Sequence, residues 1–307
     1  MENLKNKIDF AVIVCVKNAN PNGDPLNGNR PRVNYDGFGE ISDVCIKRKI
    51  RNRLMETGKS IFVQSDDNKV DEYKSLKARI DGELKNADMK DSEKYREEVC
   101  KKWMDVRAFG QVFAYKAAAK KAAAKKGKKE VVDEEIEEEQ GDDKAVSIGI
   151  RGPVSIHSAF SVSPVNITST QITKSVSGEG DGTKRGSDTM GMKHRVDHGV
   201  YVFYGSMNPQ LASKTGFSDE DAEDIKETLI ELFQNDASSA RPEGSMEVHK
   251  VYWWEHNCKN GQYSSAKVHR SLEVTVKVDV IEPKDIIDYD ITIQPLADLE
   301  IKEFDGI

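Results

Sequence analysis

The apolar run IDFAVIVCV at residues 8–16 constrains the fold of this chain more than any other segment. It consists mostly of β-branched and aliphatic residues, a composition typical of a strand buried in a sheet. The run is far too short to cross a bilayer, which takes about 20 apolar residues. Because no cleavage-like site follows the charged residues at the start of the chain, we also expect no signal peptide.

A second strong pattern predicts a helix over residues 41–57. Ser42 is a suitable N-cap, and no glycine or proline interrupts the segment before Gly58. An apolar stripe recurs every four residues, at Ile46, Ile50 and Leu54. The helix also carries five basic side chains, Lys47, Arg48, Lys49, Arg51 and Arg53. It either presents a solvated basic face or binds an anion, for which phosphate is the ligand we favour.

Charge is distributed unevenly along the chain. Residues 273–307 hold ten acidic and three basic residues, whereas residues 30–54 hold seven basic and three acidic ones. The acidic tail accounts for the whole formal net charge of −7, so the negative total does not exclude a polyanion partner. The tail is also a candidate to meet a basic patch on another copy of the chain. The four cysteines are widely spaced without a C-x-x-C pair, which favours reduced thiols, a cytoplasmic protein and no zinc site.

The order of the predicted elements indicates the fold class. Strands are predicted at 8–16, 148–165, 198–208 and 245–256, and helices at 41–57 and 218–236. This is the βαββαβ order of the α+β ferredoxin-like, or RNA-recognition, fold. We therefore expect one domain over residues 1–307 with inserted lobes. Such a sheet leaves one face open, and nucleic-acid proteins of this plan use that face or its edges to bind single strands.

Several segments lie outside that core. Residues 17–39 form a predicted long loop, and residues 166–195 are predicted to project as a hairpin or loop. Residues 116–144 are an Ala/Lys stretch followed by an acidic block, a low-complexity composition that cannot be buried. Two further helices are predicted at 71–86 and 91–103, and a further strand is predicted at 271–282. The apolar residues over 103–115 have helical spacing.

Five motifs together resemble a known family. They are, in chain order, VCVKNANPNGDPLNGNRPRV, SDVCIKRKIRNRL, DVRAFG, RGPVSIHSAFS and KRGSDTMGMKHRVDHGVY. They resemble the type I-C version of the CRISPR-associated protein seven family, a member of the RAMP superfamily. The likeness covers nearly the whole chain, and segment 116–144 is its main departure.

The resemblance implies a backbone subunit of a Cascade-type surveillance complex. An RNA-recognition palm would carry a helical finger lobe, here about 61–145, and a thumb, here about 166–195. Copies would stack head to tail along a CRISPR RNA guide and present it for pairing with target DNA, beside other Cascade subunits. The family subunit has no catalytic role, so we expect no catalytic residue, cofactor or metal, and no membrane partner.

The resemblance also implies candidate RNA contacts. On the basic helix, Lys47, Arg48 and Arg51 are expected to bind guide phosphates whatever the sequence. The loop at 17–39 offers the amides of Asn20 and Asn22 beside Gly23. The thumb offers contacts to the strand from Thr168, Thr170, Gln171, Lys174, Lys193, His194 and Arg195, and two candidate wedges between bases, Met190 and Met192.

Other interpretations remain open from the residues alone. His194 and His198 are four apart, but no third metal ligand has suitable spacing. Asp24 and Asp36 lie in the loop where related type III backbone subunits carry a catalytic aspartate, so a RAMP-type endoribonuclease is the alternative function. Aspartate beside glycine or proline is, however, more often a turn former. The aromatic residues of the later strands, Tyr201, Phe203 and at least one of Trp253 and Trp254, are expected in the core.

Overall fold

The computed structural model describes residues 2–84, 91–115, 146–173 and 190–307. Its strands are β1 (Ile8–Ala19), β2 (Gly23–Asp24), β3 (Arg30–Pro31), β4 (Phe38–Ile41), β5 (Gly110–Tyr115), β6 (Val146–Arg151), β7 (Val154–Ile156), β8 (Ala159–Pro164), β9 (Ile167–Thr173), β10 (Met190–Met207), β11 (Met246–Glu255), β12 (Leu272–Val276), β13 (Tyr289–Ile293) and β14 (Ile301–Asp305). Its α-helices are α1 (Asp43–Glu56), α2 (Leu76–Glu83), α3 (Ser92–Lys102), α4 (Met104–Phe109), α5 (Pro209–Thr215), α6 (Asp219–Ile230) and α7 (Ser265–His269). The predicted low-complexity segment 116–144 lies outside the described residues.

The strand predicted at residues 8–16 is the centre of a large antiparallel sheet. β1 pairs with β10 on one side and with β11 on the other. The full order across the sheet is β14-β11-β1-β10-β8-β4, and β7 and β9 also pair with β10. The chain thus has a mixed α/β fold organised around one antiparallel sheet. Among the helices of the described residues, we find none with the length and apolarity that a membrane span requires.

Local signals set the ends of the two long core helices. α1 begins after Ser42, whose Oγ accepts a hydrogen bond from the Cys45 amide, and it ends two residues before Gly58, which has a φ of 85°. α6 begins after Ser218, which forms a reciprocal capping box with Asp221. Both predicted helices are therefore confirmed, although α6 ends at Ile230 rather than near residue 236.

Two predicted elements are divided in the structure. The helical spacing over 103–115 ends in α4, because Gly110 has a φ of 80° and begins β5 instead. The strand predicted over 148–165 is three strands, β6, β7 and β8. The first break lies at Gly152, where an added Cβ would come within 2.2 Å of the Ala108 carbonyl oxygen. The backbone therefore turns at a point where only glycine fits.

The main core lies on the face of the sheet that α1 and α6 cover. It contains the predicted stripe of α1, inward side chains of β1 and several aromatic residues. Tyr201, Phe203 and Trp253 are almost completely buried there, as predicted for the first two and for at least one of Trp253 and Trp254. Phe10 stacks on Trp253 with ring centroids 5.6 Å apart. Burial of this apolar surface is the main force that holds both helices on the sheet.

The opposite face of the sheet is also covered, and the prediction of an open face is wrong. Ala11, Ile13, Val200 and Trp254 point to that side and are buried. They pack against side chains of α7, β12 and β13. The C-terminal segment therefore occupies the surface on which an open RNA-recognition sheet would stack bases, and any nucleic acid has to bind elsewhere.

A separate hydrophobic cluster lies in the part of the chain between α1 and β7. Its large buried aromatic residues include Phe62, Trp103 and Phe113, and Tyr95 of α3 packs edge-on against Phe113. β5 and β6 form a two-stranded sheet that closes the cluster. This unit lies within the predicted helical lobe at about 61–145, whose boundaries remain a prediction.

Candidate nucleic-acid interface

Three of the five basic residues of α1 bind carboxylates that lie outside this helix. Lys49 is buried and pairs with Asp236, Arg53 pairs with Glu231, and Arg51 pairs with Asp105. Burial lowers the pKa of the Lys49 ammonium, and the neighbouring Asp236 carboxylate opposes that shift. The helix is thus not a continuous basic surface. Its charges largely join α1 to the rest of the fold.

Asp105 fixes Arg51 particularly firmly. The buried carboxylate accepts hydrogen bonds from the backbone amides of Phe62 and Val63, at 2.7 and 3.0 Å. Its Oδ2 also accepts one from Arg51 Nε at 2.9 Å, and the Arg51 guanidinium lies over the ring of Phe109. Most of the charge of Arg51 is therefore compensated inside the protein.

The two remaining basic residues of α1 are on its accessible side. Lys47 is half-buried and pairs with Asp43 one turn earlier, with 2.9 Å between Nζ and Oδ2. Arg48 is exposed, and within the part of the chain that the structure describes it forms no ion pair. Of the three α1 residues predicted to bind phosphate, Arg48 is thus the most exposed one. An acidic influence on it comes from Asp67, whose pKa is lowered by the Ser65 hydroxyl and further by the charges of Arg48 and Arg241.

Arg48 borders a cleft of about 490 Å³ at the beginning of α1. Two further arginines, Arg51 and Arg241, line the same cleft, and none of its lining residues is a carboxylate. Ser42, the N-cap of α1, also lines it, so the positive end of the helix dipole lies at its wall. Arg51 and Arg241 are each paired with an aspartate, so the exposed guanidinium of Arg48, beside the helix N-terminus, is the group best placed to bind a phosphate.

The loop after β1 forms the opposite wall of this cleft. Asn22 Oδ1 accepts hydrogen bonds from the amide and the hydroxyl of Ser42, at 2.9 and 2.8 Å, and so attaches the loop to the helix start. Asn20 is buried, and its Nδ2 donates to the Asn29 carbonyl at 2.7 Å. Asn22 and Gly23 line the cleft, whereas Asn20 supports the loop from beneath.

The loop aspartates have local roles. Asp24 Oδ1 accepts a hydrogen bond from the Leu26 amide at 3.2 Å, which is the turn-forming contact expected for aspartate before proline. Arg32 lies 3.5 Å from the same oxygen. Asp36 is exposed and belongs to the turn in which its own amide donates to Asn34 Oδ1. Over the described ranges, no three histidine, cysteine, aspartate or glutamate side chains are grouped so as to hold a metal ion.

The two ends of the segment predicted as the thumb pair with each other. They form a two-stranded ribbon that consists of β9 and the first residues of β10. Their pairing places Met190 opposite Thr173 and Val196 opposite Ile167. The ribbon is largely exposed over residues 169–173 and 190–195, whereas Val196 at its base is buried. Lys174 was predicted to contact the strand, but it lies outside the described residues.

The ribbon divides the predicted contacts between two faces, because side chains alternate along a strand. One face carries Gln171, Met190, Met192 and His194, and the other carries Thr168, Thr170, Lys193 and Arg195. Met190 and Met192 are 68% and 54% exposed, which is unusual for apolar side chains of this size. The two faces thus have different chemistry: one offers thioethers, an amide and an imidazole, and the other offers cations and hydroxyls.

Both faces have polar contacts that orient them. On the methionine face, His194 Nδ1 lies 2.8 Å from Ser169 Oγ. On the cationic face, Thr168 Oγ1 donates to Asp197 Oδ2 at 2.8 Å, and Arg195 lies 3.6 Å from the same carboxylate. Lys193 has no ion pair within the described part of the chain.

The cleft and the methionine face of the ribbon are connected. Arg30 Nη1, in the loop that forms the cleft wall, donates to Ser169 Oγ at 3.0 Å. Ser169 lies on the methionine face, and the neighbour of Arg30, Asn29, lines the cleft. Arg30 therefore attaches the cleft wall to the ribbon face that carries Met190 and Met192.

Sequence reasoning missed Arg241 and Arg30 as candidates. Arg241 lies in a turn whose local pattern carries no functional signal, and it reaches the cleft because its Nε binds Asp236 at 3.1 Å. Arg30 was counted only as part of the basic region 30–54. His198, considered as a metal partner of His194, is half-buried near the ring of Tyr289, and burial lowers the pKa of its imidazole.

Comparison with known proteins gives a consistent family. The family model described as CRISPR-associated protein Cas7 matches residues 6–294. A relative from Haloferax volcanii with the same description is 26% identical over 238 residues, which are 76% of this chain and 66% of the relative. The matched part is thus just under two thirds of the relative's length.

Two similar chains come from solved structures described as CRISPR RNA-guided surveillance complexes, one of them in a pre-nicking state. Each match covers 81% of this chain, and the matches cover 75% and 68% of the other chains. The sequence identities are 16% and 15%, and the TM-scores are 0.42 and 0.37. At these TM-scores the likeness carries no argument about individual residues.

Proposed function

The chain belongs to the CRISPR-associated Cas7 family, and from this premise we propose that it is a non-catalytic backbone subunit of a type I-C CRISPR RNA-guided surveillance complex. It binds the phosphates of a CRISPR RNA guide without reading the bases, and it presents the guide for pairing with target DNA. Copies of the chain follow one another along the guide and are joined by other Cascade subunits. The type I-C assignment depends on the motif resemblance.

The fold is consistent with this proposal. The order β11-β1-β10-β8, with antiparallel neighbours and with α1 and α6 on one face, is the arrangement expected of a ferredoxin-like palm. We propose that β9 and the start of β10 are the base of the thumb, and that the cluster around Trp103 belongs to the finger lobe.

One observation carries the proposal: three arginines and the N-terminus of α1 line a cleft that no carboxylate of the described residues lines, and Arg30 attaches the wall of this cleft to the ribbon face with the exposed methionines. Guanidinium groups bind phosphate whatever the base. Met190 and Met192 supply an apolar surface that can insert between bases, which is also independent of sequence. A guide carrier requires this combination because every spacer differs.

The cleanest test is Arg48→Glu, because Arg48 is exposed and its loss breaks no ion pair in the described residues. We expect the affinity for single-stranded RNA to fall about tenfold, for at least two unrelated sequences, and the salt slope to decrease by about 0.7 to 1. Lys259→Glu is the matched control, since it makes the same charge change at an exposed position outside the cleft. Fluorescence anisotropy against salt concentration measures both quantities.

Two outcomes would contradict the proposal. Equal affinity in Arg48→Glu and the wild type would remove the cleft from the RNA site. Stoichiometric cleavage of the RNA with magnesium, abolished by Asp24→Ala or Asp36→Ala, would instead favour the RAMP-type endoribonuclease. No contact of either aspartate favours that alternative at present.

A further inference from the structure

A second basic pocket lies between α3, β6 and α5. It has a volume of about 200 Å³ and is lined by three cationic side chains, Arg96 of α3, Arg151 of β6 and Lys214 of α5. No carboxylate from the described part of the chain lines this pocket, and none of its lining residues is shared with the cleft at α1. Within the described residues, none of the three cations forms an ion pair.

This lack of compensation distinguishes the pocket from its surroundings. Nearby arginines are neutralised: Arg107 binds Asp221 through two hydrogen bonds, and Arg79 binds Asp71 in the same way. Three like charges that converge without an acidic partner repel one another and raise the local positive potential. An anion that enters the pocket relieves this repulsion.

The shape of the pocket indicates which anion it accepts. Its volume is below the range of about 300 to 1,000 Å³ that is typical of small-molecule sites. Its remaining lining residues are Gly149, Ile150, Leu211 and Thr215, so no aromatic ring is available to stack on a base. Arg151 and Lys214 are exposed at its mouth. These features suit a single phosphate group that belongs to a longer polymer outside the pocket.

The pocket lies far from the ribbon. β10 extends from Met190 in the ribbon to Met207, and α5 begins at Pro209. From Val196 at the base of the ribbon to Met207 is roughly 35 Å along an extended strand. The pocket and the ribbon are therefore near opposite ends of β10, and a short segment of one strand cannot occupy both.

From these observations we propose that Arg96, Arg151 and Lys214 form a second phosphate site, which binds the backbone of a nucleic acid other than the guide held at the α1 cleft. The interaction is electrostatic and independent of base sequence. The pocket therefore gives the chain a way to hold DNA that does not depend on base pairing with the guide.

The test uses the full chain, first loaded with single-stranded RNA and then titrated with labelled duplex DNA that has no complementarity to that RNA. We expect the double variant Arg151→Glu, Lys214→Glu to bind the duplex at least about tenfold more weakly and to lower the salt slope by about two. Its RNA affinity is expected to stay within about twofold of wild type. The matched control is Lys259→Glu with Lys284→Glu, two exposed lysines outside both sites.

The outcomes separate this proposal from the proposed function. Loss of duplex binding in the pocket variant alone supports the site, and equal loss in the control variant overturns it. A wild-type protein that fails to bind the duplex also overturns it. If the wild type fails to bind RNA, the proposed function fails. A duplex titration of the unloaded protein then still tests whether the pocket binds DNA. Arg151→Gln with Lys214→Gln provides a milder second variant should the charge reversal disturb folding.

Discussion

The basic residues of α1 show that the role of a charged side chain depends on its tertiary partner and not on its neighbours in sequence. Arg51 and Arg48 are three positions apart on one helix. Arg51 binds a buried carboxylate, whereas Arg48 is exposed at the mouth of the cleft. One basic motif therefore contains a charge that is paired inside the fold and a charge that stays accessible, and substitutions can separate their roles.

The first prediction at this scale concerns Asp105. Asp105→Ala removes the acceptor of three hydrogen bonds and leaves a mostly buried guanidinium and two backbone amides without a partner. We expect a loss of about 3 to 5 kcal/mol in the free energy of unfolding, measured by urea denaturation. Asp105→Asn keeps one acceptor oxygen and should cost less.

Asp43→Ala is the matched control for Asp105. It removes the carboxylate that pairs with Lys47 on the same helix, but this pair is partly exposed. Its expected cost is under about 1 kcal/mol. Similar losses in Asp105→Ala and Asp43→Ala would show that Asp105 does not anchor Arg51.

The second prediction at this scale concerns His269. Its Nε2 donates to the Gly205 carbonyl at 3.0 Å, and the ring stacks on Tyr204. Burial lowers the pKa of the imidazole below 6.5, the nearby Asp9 carboxylate opposes the shift, and His157 and Lys7 reinforce it. The unfolded chain therefore takes up a proton at a higher pH than the folded chain, and stability falls as the pH drops below about 6.5.

The measurement is the free energy of unfolding between pH 7.5 and 5. His269→Gln retains a donor for Gly205 but does not titrate, so its stability should decline less steeply, by up to about 1.4 kcal/mol per pH unit. Parallel curves for the variant and the wild type would show that another group is responsible. His198 and His249 also have lowered pKa values and contribute equally to both curves.

At the scale of elements, the ribbon is the clearest case of one segment with two chemistries. Its register, Met192 opposite Gln171 and Lys193 opposite Thr170, places thioethers on one face and cations on the other. The two faces contact different parts of a nucleotide if the ribbon is the thumb. On that proposal, we expect bases to contact the methionines and phosphates to contact the cations.

This division gives the third prediction. Met190→Ala with Met192→Ala should change base stacking, seen as the fluorescence of 2-aminopurine placed in the RNA, and leave the salt slope nearly unchanged. Lys193→Ala with Arg195→Ala should lower the salt slope by about 1.4 and leave the fluorescence nearly unchanged. The prediction fails if both double variants affect the same observable.

At the scale of the whole molecule, the distribution of charge matters more than its total. The chain has a formal net charge of −7, yet two separate pockets are lined by cations without carboxylates. The acidic C-terminal segment, including β12 and β13, covers one face of the sheet. The surfaces left for polyanions are therefore the helix side, the ribbon and the basic pockets.

The fourth prediction belongs to this scale. If copies follow one another along a guide, the number of bound chains should rise in whole steps as the RNA is lengthened, which native mass spectrometry measures directly. Arg48→Glu should reduce the occupancy of every step rather than change the step length. One chain per RNA at every length would contradict the backbone role.

Much of the fold could be predicted from local patterns. The buried strand at 8–16, the capping of α1 by Ser42 and of α6 by Ser218, and the burial of Tyr201 and Phe203 all depend on periodicity and on contacts within a few residues. The failures have equally local causes. Gly110 and Gly152 end or divide predicted elements because tertiary contacts require backbone conformations that the apolar pattern does not reveal.

By itself the sequence determined which residues form the core elements and which segments are basic, since helix periodicity, capping and charge are properties of neighbouring residues. Only the tertiary structure decided which of those charges stay accessible. Arg51 meets Asp105 across 54 positions, and Lys49 meets Asp236 across 187. The tertiary structure also decided that the second face of the sheet is closed. The covering strands β12 and β13 lie between β11 and β14 in the chain, and no local pattern encodes the face of the sheet on which they pack.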